Sequence, residues 1–445
     1  MSETDSVAAA RASMPPATRR ELIAWAFFDF ANSGYTTVVL TTVYSAYFVA
    51  VVAAGVEARS PGSATLLWTL STATANLIVL FSGPVVGAIA DQHGCKKPFL
   101  LVTAVTCVAG TALLAVAGPD YLHLAMFLLV LSTVAFASGE NLIAAFLPEI
   151  ATRQNMGKVS GYGWSFGYLG GLFTLGMCLA YVSFAESRGL PATHYVPVTL
   201  LLTAVTFAVT ATPTFLWLRE RAIARPVAVR KSYIRMGLAQ VANTLRHAAQ
   251  LPDLFRFLVC LLFFQAGVST VIVVAAIYAQ QVMGFSSSQL IGVVMVVNLT
   301  AALGAFTFGY AQDRWGSIPC LAVALLLWII AISMTLLGSA PWLFWLASNL
   351  IGLAMGATLA GGRALIGRMT PAARNAEVFG LWGLANRAAA IIGPISYGAI
   401  TNLSGGNYPL ALMSTLAFFV VGLFLLLFVN EQRGVDAAAA AAPMA

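Results

Sequence analysis

Charge is scarce in this chain: only 9% of its 445 residues are Asp, Glu, Lys or Arg, against roughly 25% in soluble domains. With 60% hydrophobic residues, too little polar surface remains to coat a soluble globule. Cysteine and histidine are scarce as well. Cys95, Cys107, Cys178, Cys260 and Cys320 form no CxxC pair, and His93, His123, His194 and His247 do not cluster. A disulfide framework is therefore excluded, and no metal ligand set is expected. Nucleotide-binding loops and nucleophile constellations are missing, so neither an ATPase nor an enzyme is expected, and no cofactor. Short segments of alternating polarity, which a membrane β-barrel needs, are missing too.

What is present is a succession of apolar runs, each about 20 residues or longer, the length that spans a bilayer as a helix. Twelve can be drawn: 22–52, 64–90, 98–117, 122–147, 159–184, 196–218, 254–280, 288–310, 317–337, 342–365, 377–402 and 409–429. The fold class is an all-α integral membrane protein. Residues 1–21 form an N-terminal segment, 22–218 and 254–429 two six-helix bundles, 219–253 a basic linker and 430–445 a tail. MSETDSVAAARASMPPATRR is polar and the run after it is too long for a signal-peptide core, so no cleaved signal is expected.

Cytoplasmic loops retain Lys and Arg. With the N-terminus inside, the outer loops receive only Arg59 and Arg188, and nearly all the rest fall on the inner side. Both termini are expected in the cytoplasm, of a bacterial inner membrane given the Ala-rich chain. The net charge of +7 reflects topology and needs no nucleic-acid partner. In the linker, Ile234, Leu238, Val241 and Leu245 recur at helical spacing, predicting an amphipathic helix on the membrane surface. The tail shows no apolar period and is assigned no function. A monomer is expected.

The two bundles are related by a repeat. GAIADQHG (87–94) and GYAQDRWG (309–316) share G-x-x-x-D-x-x-G at an offset of 222 residues, and KVSGYGWSFGY (158–168) matches EVFGLWGLANR (377–387) at an offset of 219. Two motifs at nearly one offset predict parallel six-helix repeats. The glycines permit a tight turn, and a carboxylate there can face the N-terminus of a helix in the opposite half. Repeat symmetry sets Asp91 against Arg374 to Glu377 and Asp313 against Lys158. With Gly87, Gly94 and Gly316 these are the expected gate; Lys96 and Lys97 read as topology charges only.

The six-plus-six plan and the loop motif G-x-x-x-D-x-x-G-x-K-K resemble the major facilitator superfamily over essentially the whole chain. More narrowly, WAFFDFANSGYTTVV, ENLIAAFLPEIA with VSGYGWSFGYLGG, and TPAARNAEVFGLWGLANRAAAIIGP resemble the branch that includes the autophagy-related vacuolar amino-acid effluxer and its bacterial relatives. Two positions depart from the superfamily pattern: Gln92 stands where a basic residue is usual, and helix 4 lacks the arginine that many proton antiporters carry. The resemblance implies that helices 1, 4, 7 and 10 line a central cavity, with help from 5 and 11.

Four charges lie deep in the runs: Asp29, Glu140, Arg363 and Arg387. Facing lipid, they would together cost on the order of 12 kcal/mol, so they are expected to face the interior. Both acids belong to the first half and both arginines to the second. That arrangement suits a zwitterion, with its ammonium toward Asp29 or Glu140 and its carboxylate toward Arg387 or Arg363. Asn32, Thr36, Asn141, Gln265 and Asn386 are candidate polar neighbours, and Trp164 with Tyr168, and Trp382, candidate side walls. The equally weighted alternative is that acids and arginines simply pair across the halves. In the expected assignment Asp29 and Arg387 hold opposite ends of one ligand, and proton coupling falls to Glu140 first, which has no basic neighbour in its own half, and to Asp29 second. The stripes Gly163, Gly167, Gly171 and Gly352, Gly356 read as packing surfaces.

The expected function is secondary active transport by alternating access, of an amino acid or similar zwitterion, as an exporter coupled to protons. The alternatives are a carrier of an organic anion or amphipathic metabolite, and a non-transporting membrane receptor or lipid scramblase.

Overall fold

The computed structural model describes residues 17–93, 95–150, 156–220, 250–338, 340–370 and 375–440, apart from the side chains of 84, 85, 87–93, 148, 156–158, 160, 161, 313, 375–377 and 439. Among the described residues there is no strand, and twelve helices are long and apolar enough to cross a membrane. In chain order they are α1 (Arg19–Val52), α2 (Ser63–His93), α3 (Lys96–Leu114), α4 (Leu122–Ala144), α5 (Met156–Ser187) and α6 (Ala192–Trp217), then α7 (Pro252–Met283), α8 (Ser287–Trp315), α9 (Ser317–Leu337), α10 (Pro341–Arg368), α11 (Asn375–Leu403) and α12 (Tyr408–Leu426). Each lies within a few residues of its apolar run. The amphipathic helix expected in the linker falls at 221–249, outside the described residues.

The packing repeats as the sequence does. α1 packs on α5 and α6, and α7 on α11 and α12; α3 packs on α4 and α6, and α9 on α10 and α12; α2 packs on α4, and α8 on α10. Glycines set the closest approaches. Gly170 of α5 lies against the Phe30 carbonyl of α1, Gly393 of α11 against the Ala266 carbonyl of α7, and Gly356 of α10 against the Ala301 carbonyl of α8, none with room for a Cβ. In lipid, helix association rests on such close packing.

α1 is not uniform. Its α-helical start (Arg19–Tyr35), closed by a capping box between Thr18 and Glu21, gives way to a π-helical stretch at Thr36–Thr42, an α turn at Val43–Tyr47 and a second π stretch at Phe48–Val52. TTVVLTT is dense in β-branched residues, which lose side-chain freedom in an α-helix. Thr37 also donates its hydroxyl to the Ser33 carbonyl at 3.0 Å, a bond that bends helices. Before the break α1 packs on α5 and α6; from the first π stretch onward it also meets α7.

The halves meet along α2 with α11, more sparingly along α5 with α8, and where α1 crosses to α7. Cross-half hydrogen bonds near the loops concentrate at the end opposite the termini. There Trp68 donates to the Val273 carbonyl at 3.1 Å, Thr65 and Tyr408 share a bond of 3.3 Å, Tyr195 and Ser287 one of 3.0 Å, and Asn402 reaches Ser60 at 3.5 Å. Gly398 of α11 lies against Thr69 of α2, and Gly62 against the Thr401 carbonyl. These contacts close the end opposite the termini.

At the termini end each half ties itself together. Glu220 accepts from the Lys97 N–H at 2.7 Å, and Lys96 pairs with Glu149 at 2.8 Å. Lys96 therefore does more than hold topology: it is buried and needs its acid, because an unpaired charge there would be costly. The tail forms a helix, α13 (Glu431–Ala440), docked on the second half. Glu431 accepts from the N–H and hydroxyl of Ser317 at 2.7 Å each and pairs with Arg368 at 3.0 Å. Glu220 and Glu431 hold equivalent places, each an acid after the last helix of its half that satisfies a free N–H at the start of the third. Burial pushes the Glu220 carboxyl up. At Glu431 burial also pushes up, but Ser317 and Arg368 outweigh it and hold the carboxyl below its usual value. That contact is thus fully present at neutral pH and is lost only as pH falls through the depressed value.

Candidate functional site

The four deep charges converge between the halves. Arg387 of α11 donates to Glu140 of α4 at 3.0 Å and to the Asn76 side-chain oxygen of α2 at 3.3 Å. This is a bridge across the halves, and it corrects one expectation: Arg387 does not face Asp29. The reason lies in helix packing. α11 lies on α2, which brings its arginine to α2 and α4, whereas α1 lies on α5 and carries Asp29 there. Asn76 was missed; a lone asparagine in STATAN carries no periodic signal.

Asp29 sits against α5 where only glycine fits. A Cβ on Gly163 would lie 2.6 Å from its Oδ2 and 2.6 Å from the Trp25 ring, and one on Gly167 would lie 3.0 Å from the Ser33 hydroxyl. The helix 5 stripe thus makes room for the site as well as for packing. Electrostatically Asp29 feels Glu140 and Arg363. Its carboxylate has no hydrogen bond or ion pair among the described residues.

Arg363 of α10 is held differently. Its guanidinium lies 5.2 Å from the ring centre of Trp164 on α5 and 5.0 Å from that of Trp382 on α11, one tryptophan from each half. Cation–π attraction to both faces favours the charge there, and Tyr168, whose ring lies 6.3 Å from that of Trp164, adds a polar edge. The rings leave the guanidinium edge open: Arg363 makes no hydrogen bond among the described residues. An arginine with a free edge is a receptor for a planar anion.

The remaining candidates divide. Asn32 is buried three residues beyond Asp29, with its side-chain oxygen unpartnered. Thr36 opens the π-helical stretch. Gln265 of α7 is half-buried and makes no hydrogen bond among the described residues. Two others are turned elsewhere: Asn141 is exposed and faces Gly83 of α2, and the Asn386 amide donates to its own helix at the Trp382 carbonyl, 2.8 Å away. Of the expected gate, Gly316 is described, with φ of 88° at the tight turn between α8 and α9, and Gly87 lies within α2. Gly94, Arg374 and the side chains of Asp91, Lys158, Asp313 and Glu377 lie outside the described residues, and with them both gate pairings.

The Glu140 side chain is 40% exposed and that of Arg387 22%, so the bridge ranks between surface and buried pairs. Glu140→Gln and Arg387→Gln should each lower thermal stability, and the double variant should lose little more than either single. The coupling expected from a double-mutant cycle is about 1–2 kcal/mol; strictly additive losses would show that the two residues act independently.

Known proteins share this helical bundle of two six-helix repeats. The family described as vacuole effluxer Atg22-like matches residues 17–439. The chain belongs to this family. Among curated proteins, relatives include the uncharacterized MFS-type transporter YxiO of Bacillus subtilis (strain 168), 26% identical over 93% of this chain and 95% of that protein. Autophagy-related protein 22-1 of Penicillium rubens is 26% identical over 65% of this chain and 52% of its own length; the chain spans about half of that fungal relative. The crystal structure of a D-xylose-proton symporter superposes with a TM-score of 0.70 at 14% identity, covering 93% of this chain and 98% of that one, which shows the fold. This Atg22-like chain is an integral membrane transporter of the major facilitator type, and not an enzyme.

Proposed function

We propose that this Atg22-like protein exports a small zwitterion of the amino-acid class by alternating access. Both termini and the linker lie in the cytoplasm of a bacterial cell, the first and second six helices rock about the central site, and the end closed here is the outer one. The observation that carries this reading is the state of the four central charges. Glu140 and Arg387 satisfy each other, whereas Asp29 and Arg363 make no hydrogen bond or ion pair with any described residue. One free carboxylate and one free guanidinium in the same cavity match an ammonium and a carboxylate on one ligand. Glu140 is committed to Arg387, so Asp29 is the group free to exchange a proton as the site loads and empties. The family description as an effluxer supports the direction. In the gate, Asp91 and Asp313 face the starts of α11 and α5 when the termini end closes.

Counterflow in proteoliposomes tests the substrate class. Vesicles loaded with unlabelled amino acids should accumulate labelled amino acid transiently. Loading with the matching amine without the carboxylate, or the acid without the amine, should give little. A second reading rests on Arg363 alone, whose open edge also suits an organic anion. Counterflow supported by a simple organic acid and undiminished in Asp29→Asn would decide for it.

A further inference from the structure

At the termini end, on the outside of the bundle, a groove of about 640 Å³ runs between the start of α7 and the end of α12. Its wall is apolar: Phe255 and Val259 on one side, Leu425 and Phe428 on the other. Phe428, just past the end of α12, is 55% exposed. Its mouth is basic, with Arg256 and Arg433 lining the same groove.

Behind the mouth, buried Asp253 anchors both arginines. It receives the Arg433 guanidinium through both carboxylate oxygens, the Nη2 bond at 2.6 Å, and Arg256 Nη1 at 3.4 Å; the Asn430 N–H donates to it at 3.1 Å. The carboxylate is consumed from within, while the arginine side chains stay 49% and 58% exposed. Two cations share one anion, so a net positive charge faces outward. Glu431 is turned away toward Ser317 and Arg368.

We infer that this groove binds an anionic phospholipid of the leaflet on the termini side, its phosphate between Arg256 and Arg433 and an acyl chain along Phe255, Val259, Leu425 and Phe428. An arginine that only snorkels to the interface needs no buried acid. Here the acid fixes two guanidinia at the depth of the headgroups above an apolar channel, and basic pockets between helices at that depth suit anionic headgroups. The lipid also bridges α7 to Arg433 of the docked tail.

The test uses the full-length protein, delipidated in detergent, with bound lipid counted by native mass spectrometry. Phosphatidylglycerol should be retained about fivefold over phosphatidylcholine. Arg256→Gln should remove that preference and Arg256→Lys keep most of it; Arg433 stays on Asp253 in both, and unchanged elution and helix content confirm folding. Equal retention of the two lipids, or full preference in Arg256→Gln, overturns the proposal. So does displacement of phosphatidylglycerol by an equal concentration of inorganic phosphate, which would mark an ion site without a lipid.

Discussion

Arg363→Gln should weaken substrate binding by at least about thirtyfold. Removing one partner of a close charge pair costs about 2–5 kcal/mol, and each 1.4 kcal/mol is about tenfold; partial exposure of Arg363 selects the lower end. Glutamine is two atoms shorter and does not reach between Trp164 and Trp382, so Arg363→Lys, which keeps the charge, separates the loss of charge from the loss of packing. Arg363→Lys should recover only part of the affinity. An ammonium keeps the charge but not the planar stack between two rings or the paired N–H edge. Asp29→Asn should weaken a zwitterion similarly while sparing a simple acid, and the double variant should lose little beyond Arg363→Gln. Isothermal binding measurements on purified protein decide this. Unchanged affinity in Arg363→Gln would remove the arginine from the site.

Gly398→Leu should open the end that is closed here. A Cβ at Gly398 collides with the Thr69 hydroxyl and would lie 3.1 Å from the Leu66 backbone. Alanine forces Thr69 to turn, and leucine has nowhere to go while α11 lies on α2. Overpacking of this kind costs about 1–3 kcal/mol. Because the strain exists only in the form closed at that end, the cost shifts the equilibrium between the two forms by roughly 5- to 150-fold. Single cysteines in place of Ser60 and Asn402, which face each other across this seam, should then label faster with a membrane-impermeant reagent. Unaltered labelling in a folded variant would show that α2 and α11 do not form the gate.

Fold class and helix positions were legible because the bilayer imposes a single rule on them: each crossing needs an apolar run of known length, and such runs cannot be hidden. The repeat was legible for a related reason, since short turns between packed helices demand glycine in both halves. The deep charges could be picked out because each is expensive in lipid. Their partners could not. Asp29 was expected opposite Arg387, and the structure gives Arg387 to Glu140 and Asn76, leaving Arg363 as the arginine whose charge acts on Asp29. A helix can be assigned from its own residues, but which face of α11 meets α2 depends on glycines such as Gly398 and Gly393 fitting backbones far away in the chain.

The acids of the termini end show the same division. Glu149, Glu220 and Glu431 look like ordinary loop charges, and only folding sets Glu149 on Lys96 and the other two on the helix starts at Lys97 and Ser317. By itself the sequence determined that the chain spans a membrane twelve times in two repeats and carries two acids and two arginines deep within those spans. Those outcomes follow from the cost of moving residues into lipid, which each segment incurs alone. The tertiary structure decided which charges are satisfied and which remain free, where α1 breaks, and which end is closed. Those outcomes come from contacts between segments separated by up to several hundred residues, and their energies exist only once the helices are side by side.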